Sequence, residues 1–344
     1  MKNISQVREI KNAHKGGVSF LRYMPKGLTL LSGGADGIVR LWQKGLFGSF
    51  GNTDYYGHKG VIFAISCFSD ASKFVSSDID GQIIVWDVKS RKIQALINSY
   101  KAFPSNLEME NGEWAFLSAA CVPHIDKVIV LHAHYGLFIW NLKIGDLADF
   151  RSQELPLFGT RLVLAEKRDL IITNSGKSIY ILNMNDGRIV RVFGGSPKGV
   201  RKGTQMIFMG EEDEVVSKTF EYMGGHKADV TCIALSSDER FVASGSHDNT
   251  VRRWDISDPS NIEPKGVKIM EGHRGFITDV AFVPNTNLVG SCSIDGTFRL
   301  WDSERCQELF LNNLNTPLYA MTISADGHEL AVGGGNGFIY IYNL

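Results

Sequence analysis

Four residue types recur along this chain at fixed spacing, and that recurrence constrains the fold more than any single motif. His14, Ser32, Asp36 and Trp42 form the first set, and His58, Ser76, Asp80 and Trp86 the second. His226, Ser244, Asp248 and Trp254 follow, then His273, Ser291, Asp295 and Trp301. In every set the serine lies 18 residues after the histidine, the aspartate 4 after the serine, and the tryptophan 6 after the aspartate. A short unit repeated in this way cannot bury its apolar face alone and must stack against copies of itself.

The segments between these anchors have the pattern of strands. VSFLRYM, VTCIALS and ITDVAFV are short apolar runs rich in β-branched and aromatic residues. GIVRLW, GQIIVW, NTVRRW and GTFRLW each follow a tight turn, ADG, IDG, HDN or IDG, where Asp, Gly and Asn supply the turn chemistry. No helix-period patterning is present. The expected fold is all-β, built of four-stranded antiparallel units.

On these residues the chain resembles the WD-repeat family. Gly57-His58, Gly225-His226 and Gly272-His273 match its GH signature, and Trp86-Asp87, Trp254-Asp255 and Trp301-Asp302 its WD signature. The first repeat departs from it, with Ala13-His14 and Trp42-Gln43. The resemblance implies a single β-propeller over residues 1–344, with blades around a central channel, and a hydrogen-bonded His, Ser, Asp and Trp network inside each blade. Such a network is chemically sensible, because a buried aspartate needs donors that histidine, hydroxyl and indole can supply. A His/Ser/Asp set also suggests hydrolysis, but one active site does not need four copies.

Other segments keep strands and lose the network. The third repeat retains Trp140, with His134 at the aspartate position and Gly112 at the histidine position; the fourth has Leu182 for tryptophan. The last has Asn336 for aspartate and Tyr342 for tryptophan, and stops two residues after its third strand. Ile4–Ile10 precedes the first repeat with no unit of its own. Its expected place is the outer strand of the final blade, which closes the ring and covers an exposed edge. First strands are expected near Val18, Ile62, Phe116, Thr160, Thr204, Val230, Ile277 and Leu318. That makes eight units with the fifth reduced; the alternative is seven blades with an insertion near 194–224.

A net charge of −1 over 344 residues gives no global pull toward nucleic acid or an anionic membrane. Five scattered cysteines without a CxxC pair fit a reducing compartment, and MKNISQVREI has no secretory pattern. An intracellular protein, cytoplasmic or nuclear, is expected, with no membrane span. NSGKS (174–178) lacks the glycine a phosphate loop needs, since Ile171 stands there, and GGGNG (333–337) lies between strands. His132 and His134, with His124 nearby, give no third convergent zinc ligand. No cofactor, metal, small-molecule substrate or catalytic set is therefore expected. The basic Lys198, Arg201 and Lys202, followed by the acidic 211–214 run, give nucleic acid only weak support.

The resemblance implies that partners bind on the face carrying the loops before each first strand and the turns beside the tetrad aspartates. Position then nominates Val61, Phe63 and Ile79 in the second unit, Asp229, Thr231 and His247 in the sixth, and Phe276, Thr278 and Ile294 in the seventh. The apolar members suggest a protein-binding patch, unless they point inward and pack the blade. The expected role is a non-catalytic scaffold or adaptor subunit of a multiprotein complex. The alternative is a subunit of a ribonucleoprotein assembly, in splicing or ribosome biogenesis, touching RNA through local basic loops.

Overall fold

The computed structural model describes residues 4–45, 50–98, 116–122, 127–132, 136–141, 146–151, 161–185, 187, 189–194, 225–258 and 267–344. β1 (Ser5–Ile10) stands first in the chain. The first sheet contains β2 to β5 (Val18–Tyr23, Leu30–Gly34, Val39–Lys44, Phe50–Tyr55) and the second β6 to β9 (Ile62–Cys67, Lys73–Asp78, Gln82–Asp87, Ile93–Asn98). The third comprises β10 to β13 (Phe116–Val122, Lys127–His132, Gly136–Asn141, Asp146–Arg151) and the fourth β14 to β17 (Leu162–Ala165, Leu170–Ser175, Ser178–Asn183, Ile189–Phe193). β18 to β21 (Val230–Leu235, Phe241–Ser246, Val251–Asp255, Lys268–Met270) and β22 to β25 (Ile277–Phe282, Leu288–Ser293, Thr297–Asp302, Gln307–Asn313) build the fifth and sixth. The seventh joins β26 to β28 (Leu318–Ile323, Glu329–Gly334, Ile339–Asn343) to β1.

Among the described residues, the hairpin turns between second and third strands each hold one residue of positive φ, and the sequence supplies it. Gly37, Gly81, Asn249 and Gly296 have φ of 70°, 75°, 65° and 83°, a region that Gly and Asn enter at little cost. Alternation within the strands buries both faces of the middle strands, and apolar side chains of successive sheets meet between them. Small residues allow that approach. A Cβ at Gly33, Gly245 or Gly333 would collide with Ile62, Ile277 or Val18 of the next sheet.

The eight-unit expectation does not hold among the described residues, which form seven four-stranded sheets. Ala165, Ile172, Ile179 and Phe193 of the fourth sheet share one apolar cluster with Val230, Ile233, Val242 and Trp254 of the fifth. A further unit between them would break that cluster. The segment around Thr204 that suggested it lies outside the described residues.

Closure comes from the chain's beginning. β1 pairs antiparallel with β28, Ser5 opposite Asn343 and Ile10 opposite Ile339. The first sheet then packs on the seventh, with Val18, Leu21 and Trp42 against Ala320, Ala331 and Ile341.

One irregularity positions the site. In six of the seven sheets the pairing of first and second strands slips after the first residue, displacing residues 19, 63, 117, 231, 278 and 319 from register. Such bulges re-aim a side chain out of the ladder. Ser19, Phe63, Thr231, Thr278 and Tyr319 consequently line a central cavity at one end of the ring.

Candidate functional site

The histidine sets form proton-ordered relays inside the sheets. In the first, the Trp42 indole N–H donates to Ser32 Oγ (2.8 Å), the Ser32 hydroxyl donates to His14 Nε2 (2.7 Å), and His14 Nδ1–H donates to Asp36 (2.8 Å). The fifth sheet repeats this with Trp254, Ser244, His226 and Asp248 at 2.8, 2.7 and 3.0 Å. The sixth does so with Trp301, Ser291, His273 and Asp295 at 2.8, 2.8 and 3.1 Å. Ser246 and Ser293 accept the N–H of Asp248 and Asp295 and so fix the turns that carry these carboxylates.

The second sheet departs from its expected set. His58 Nδ1–H donates to Asp78 (2.9 Å), while Ser76 and Trp86 take their usual places at 2.6 and 2.7 Å. Asp80 is exposed and is not the partner. Asp78 stands at the register position held elsewhere by Gly34, Ser246 and Ser293. Only here does that position carry a carboxylate, buried and additionally bound by the Gln82 N–H (2.9 Å). Asp78→Ala should therefore cost about 1–3 kcal/mol, the price of leaving a buried imidazole donor unpaired, whereas Asp80→Ala should change stability by less than about 0.5 kcal/mol. Urea unfolding of the two variants checks the assignment.

Electrostatics agrees with neutral imidazoles at His14, His226 and His273. Burial, only partly offset by Asp295, pushes His273 down to about 4, and burial likewise lowers His14 and His226 despite their aspartates. Burial alone would raise Asp36 and Asp295, but hydrogen bonds from Arg40 and His14 to the first, and from Thr297 and backbone N–H groups to the second, outweigh it and hold both at about 2. The unfolded chain thus binds protons before the folded one does. Stability should fall as pH drops from about 6.5 toward 4 through the histidines, and further from about 4 to 2 through the aspartates. Urea midpoints measured from pH 8 to 4 should decline below pH 6.5; a midpoint constant across that range would contradict neutral buried histidines.

The sheets without the full set use other means. Leu182 is buried among Ile171, Tyr180 and Leu162. Tyr342 is buried, accepts a hydrogen bond from Asn312 Nδ2 (3.0 Å) and donates to Gln6 of β1 (3.3 Å), while Asn336 donates to the Tyr340 hydroxyl (2.8 Å). Gly112, His124 and His134 lie outside the described residues, and nothing is described of the Trp140 and His132 side chains. The NSGKS stretch is the hairpin turn from β15 to β16, with Gly176 at φ 51°.

The cavity at the mouth of the ring has a volume of about 1190 Å³. Val61, Phe63, Ile79, Asp229, Thr231, His247, Phe276 and Thr278 all line it; Ile294, 38% exposed, stands beside Phe276 outside the lining. Neither of the two readings for the apolar members describes all of them. Ile79 and Phe276 are 56% and 45% exposed, whereas Val61 and Phe63 are half-buried. The threonines have a second role. Thr231 donates to the Ile277 carbonyl (2.5 Å) and Thr278 to that of Leu318 (2.8 Å), as Ser19 does to Ile62 (2.7 Å), each bridging to the next sheet. Their protons are committed to the ring rather than available to a ligand.

Sequence reasoning missed Arg161, Lys177, Tyr180 and Tyr319, which also line the cavity. Arg161 immediately precedes the apolar β14, and a charged residue at the inner edge of an otherwise apolar strand was the available signal. Its Nη1 donates to the Phe63 carbonyl (3.2 Å), and its guanidinium lies 4.7 Å from the Phe20 ring centroid. It thereby reaches from the fourth sheet to the first and second.

A closed ring of four-stranded sheets with the relay in four of them defines a β-propeller. Residues 5–43, 50–87, 216–255 and 264–302 match the family described as WD domain, G-beta repeat, and the chain carries these WD repeats. It is 25% identical to human WD repeat-containing protein 18 over 261 residues, 74% of this chain and 53% of that protein. The ribosome biogenesis protein WDR12 homolog of Chlamydomonas reinhardtii is 24% identical over 273 residues, 71% and 55% of the two chains. The ribosome biogenesis protein YTM1 of Ajellomyces capsulatus is 23% identical over 257 residues, 66% and 46%. The chain spans about half the length of the curated relatives it matches. Among the described residues no helix is long and apolar enough to cross a membrane.

Proposed function

We propose that this chain is a non-catalytic interaction platform of a multiprotein complex, a seven-bladed ring that grips a partner protein at the mouth of its channel. One observation carries the reading: a concave cavity whose wall and rim combine exposed Ile79 and Phe276 with half-buried Val61 and Phe63. Apolar groups clustered around a concavity are what a protein partner buries. Phe276→Glu places a charge there without touching the buried relays, and its thermal unfolding should match the parent. Affinity purification with quantitative mass spectrometry should then show specific partners of the parent depleted in the variant. Equal recovery from both proteins would refute the mouth as the gripping surface.

A second reading is a subunit of a ribonucleoprotein assembly, located in the nucleus. The names of the Chlamydomonas and Ajellomyces relatives, both ribosome biogenesis proteins, favour it. Direct phosphate contact would give an RNA affinity that falls steeply with salt. A gel shift across a salt series therefore separates a chain that touches RNA from one that reaches such an assembly only through proteins.

A further inference from the structure

Arg161 gives the cavity a chemical preference. Its guanidinium carries five N–H donors; one reaches the Phe63 carbonyl, and the plane is steadied against Phe20. Among the described residues no carboxylate lies within ion-pairing distance of it. Asp279, at the equivalent register position of the sixth sheet, is buried, and its oxygens accept the N–H groups of Val280 and Met321 at 3.0 Å. The wall of a partly apolar cavity thus holds a pre-oriented, permanently charged fork; the buried Asp279 acts on it electrostatically but makes no direct ion pair with it, which leaves its outward donors to a ligand. Lys177 adds a second cation at the rim and Asp229 a single anion.

We propose that the mouth takes a short peptide segment of a partner protein that presents a carboxylate to Arg161 and an apolar side chain to Phe276 and Ile79. This rests on the reading of the mouth as the partner-binding surface and names the partner's chemistry. A fixed guanidinium beside apolar walls suits an Asp or Glu side chain in a bidentate pair. Single-stranded nucleic acid is the poorer fit, because it wants a track of cations interleaved with stacking aromatics, and Arg161 and Lys177 are the only cations lining the cavity among the described residues.

The experiment is selection of a phage-displayed random octapeptide library on the full chain, followed by fluorescence-polarisation titration of the selected peptides. Enrichment of Asp or Glu next to an aliphatic or aromatic residue is expected. Arg161→Met should weaken those peptides at least tenfold, and replacing the peptide's acid by its amide should weaken them equally without adding to the Arg161→Met loss. Arg161→Lys, which keeps the charge, should fall in between and serves if the methionine variant unfolds. Selected peptides without an acid, or affinities unchanged by Arg161→Met, overturn the proposal, as does a homopolymeric RNA that binds the mouth more tightly than any selected peptide. Loss of the same peptides on Phe276→Glu with indifference to Arg161 would leave the mouth as the surface and refute only its acidic preference. Selected peptides indifferent to both variants would refute the two together.

Discussion

Removing residues 1–10 should cost about 3–5 kcal/mol and leave the chain prone to self-association. β1 contributes little as a set of side chains, since most of it is exposed and Val7 stands 47% open. What it supplies is the backbone ladder to β28 and cover for the chain's last strand, where Ile339, Ile341 and Tyr342 are buried. Net contributions of about 1 kcal/mol per lost hydrogen bond, together with the uncovering of Ile10 and Ile4 from the clusters they pack against, give that magnitude. The freed edge of β28 offers a pairing site to other chains. Urea unfolding with size-exclusion chromatography reads both effects. An unchanged midpoint in a monomeric truncated chain would mean that the ring does not depend on this strand.

Trp301→Ala should destabilise by about 3–5 kcal/mol, more than any substitution at the mouth. The indole is 1% exposed in the cluster that joins the fifth and sixth sheets, with Val280, Val289 and Ile277 around it, so truncation opens a cavity that collapses only in part. It also withdraws the donor from Ser291. Trp301→Phe keeps most of the volume and loses the N–H, and should cost about 1–2 kcal/mol, the share of the hydrogen bond and a modest void. Denaturant titrations of the pair separate packing from relay. Equal losses for both variants would place the stabilisation in the hydrogen bond instead.

Much of this architecture is legible in the residues because the repeat is both a strand pattern and a hydrogen-bonding device. The spacing from His273 to Trp301 implies where four strands turn, and the first strands begin at Val18, Ile62, Phe116, Val230, Ile277 and Leu318 as the apolar runs indicate. Placement of Ile4–Ile10 followed from the missing outer strand of the last sheet. Failures have specific physical causes. Asp80 fits the spacing, but spacing does not reveal that Asp78, two residues nearer along the strand, is already buried beside His58. An eighth unit fits the count of apolar runs, and only the packing of Phe193 on Val230 and Trp254 shows that the fourth and fifth sheets are direct neighbours. At the mouth, position alone placed eight of nine candidates on the cavity. It could not show that the bulged Thr231 and Thr278 turn their hydroxyl protons toward the next sheet, nor that Arg161 crosses to Phe20 and Phe63, because these are contacts between different repeats, which spacing within one repeat does not encode.

The central claim is that partners are held at the mouth and not on the opposite face, where the turns between first and second strands lie. A photo-crosslinking amino acid placed singly at Phe276, at Tyr319, or at the exposed Asn285 of an opposite-face turn tests it in living cells. Adducts to the same partner from positions 276 and 319, with none from 285, are the predicted result. Adducts from 285 alone would contradict it.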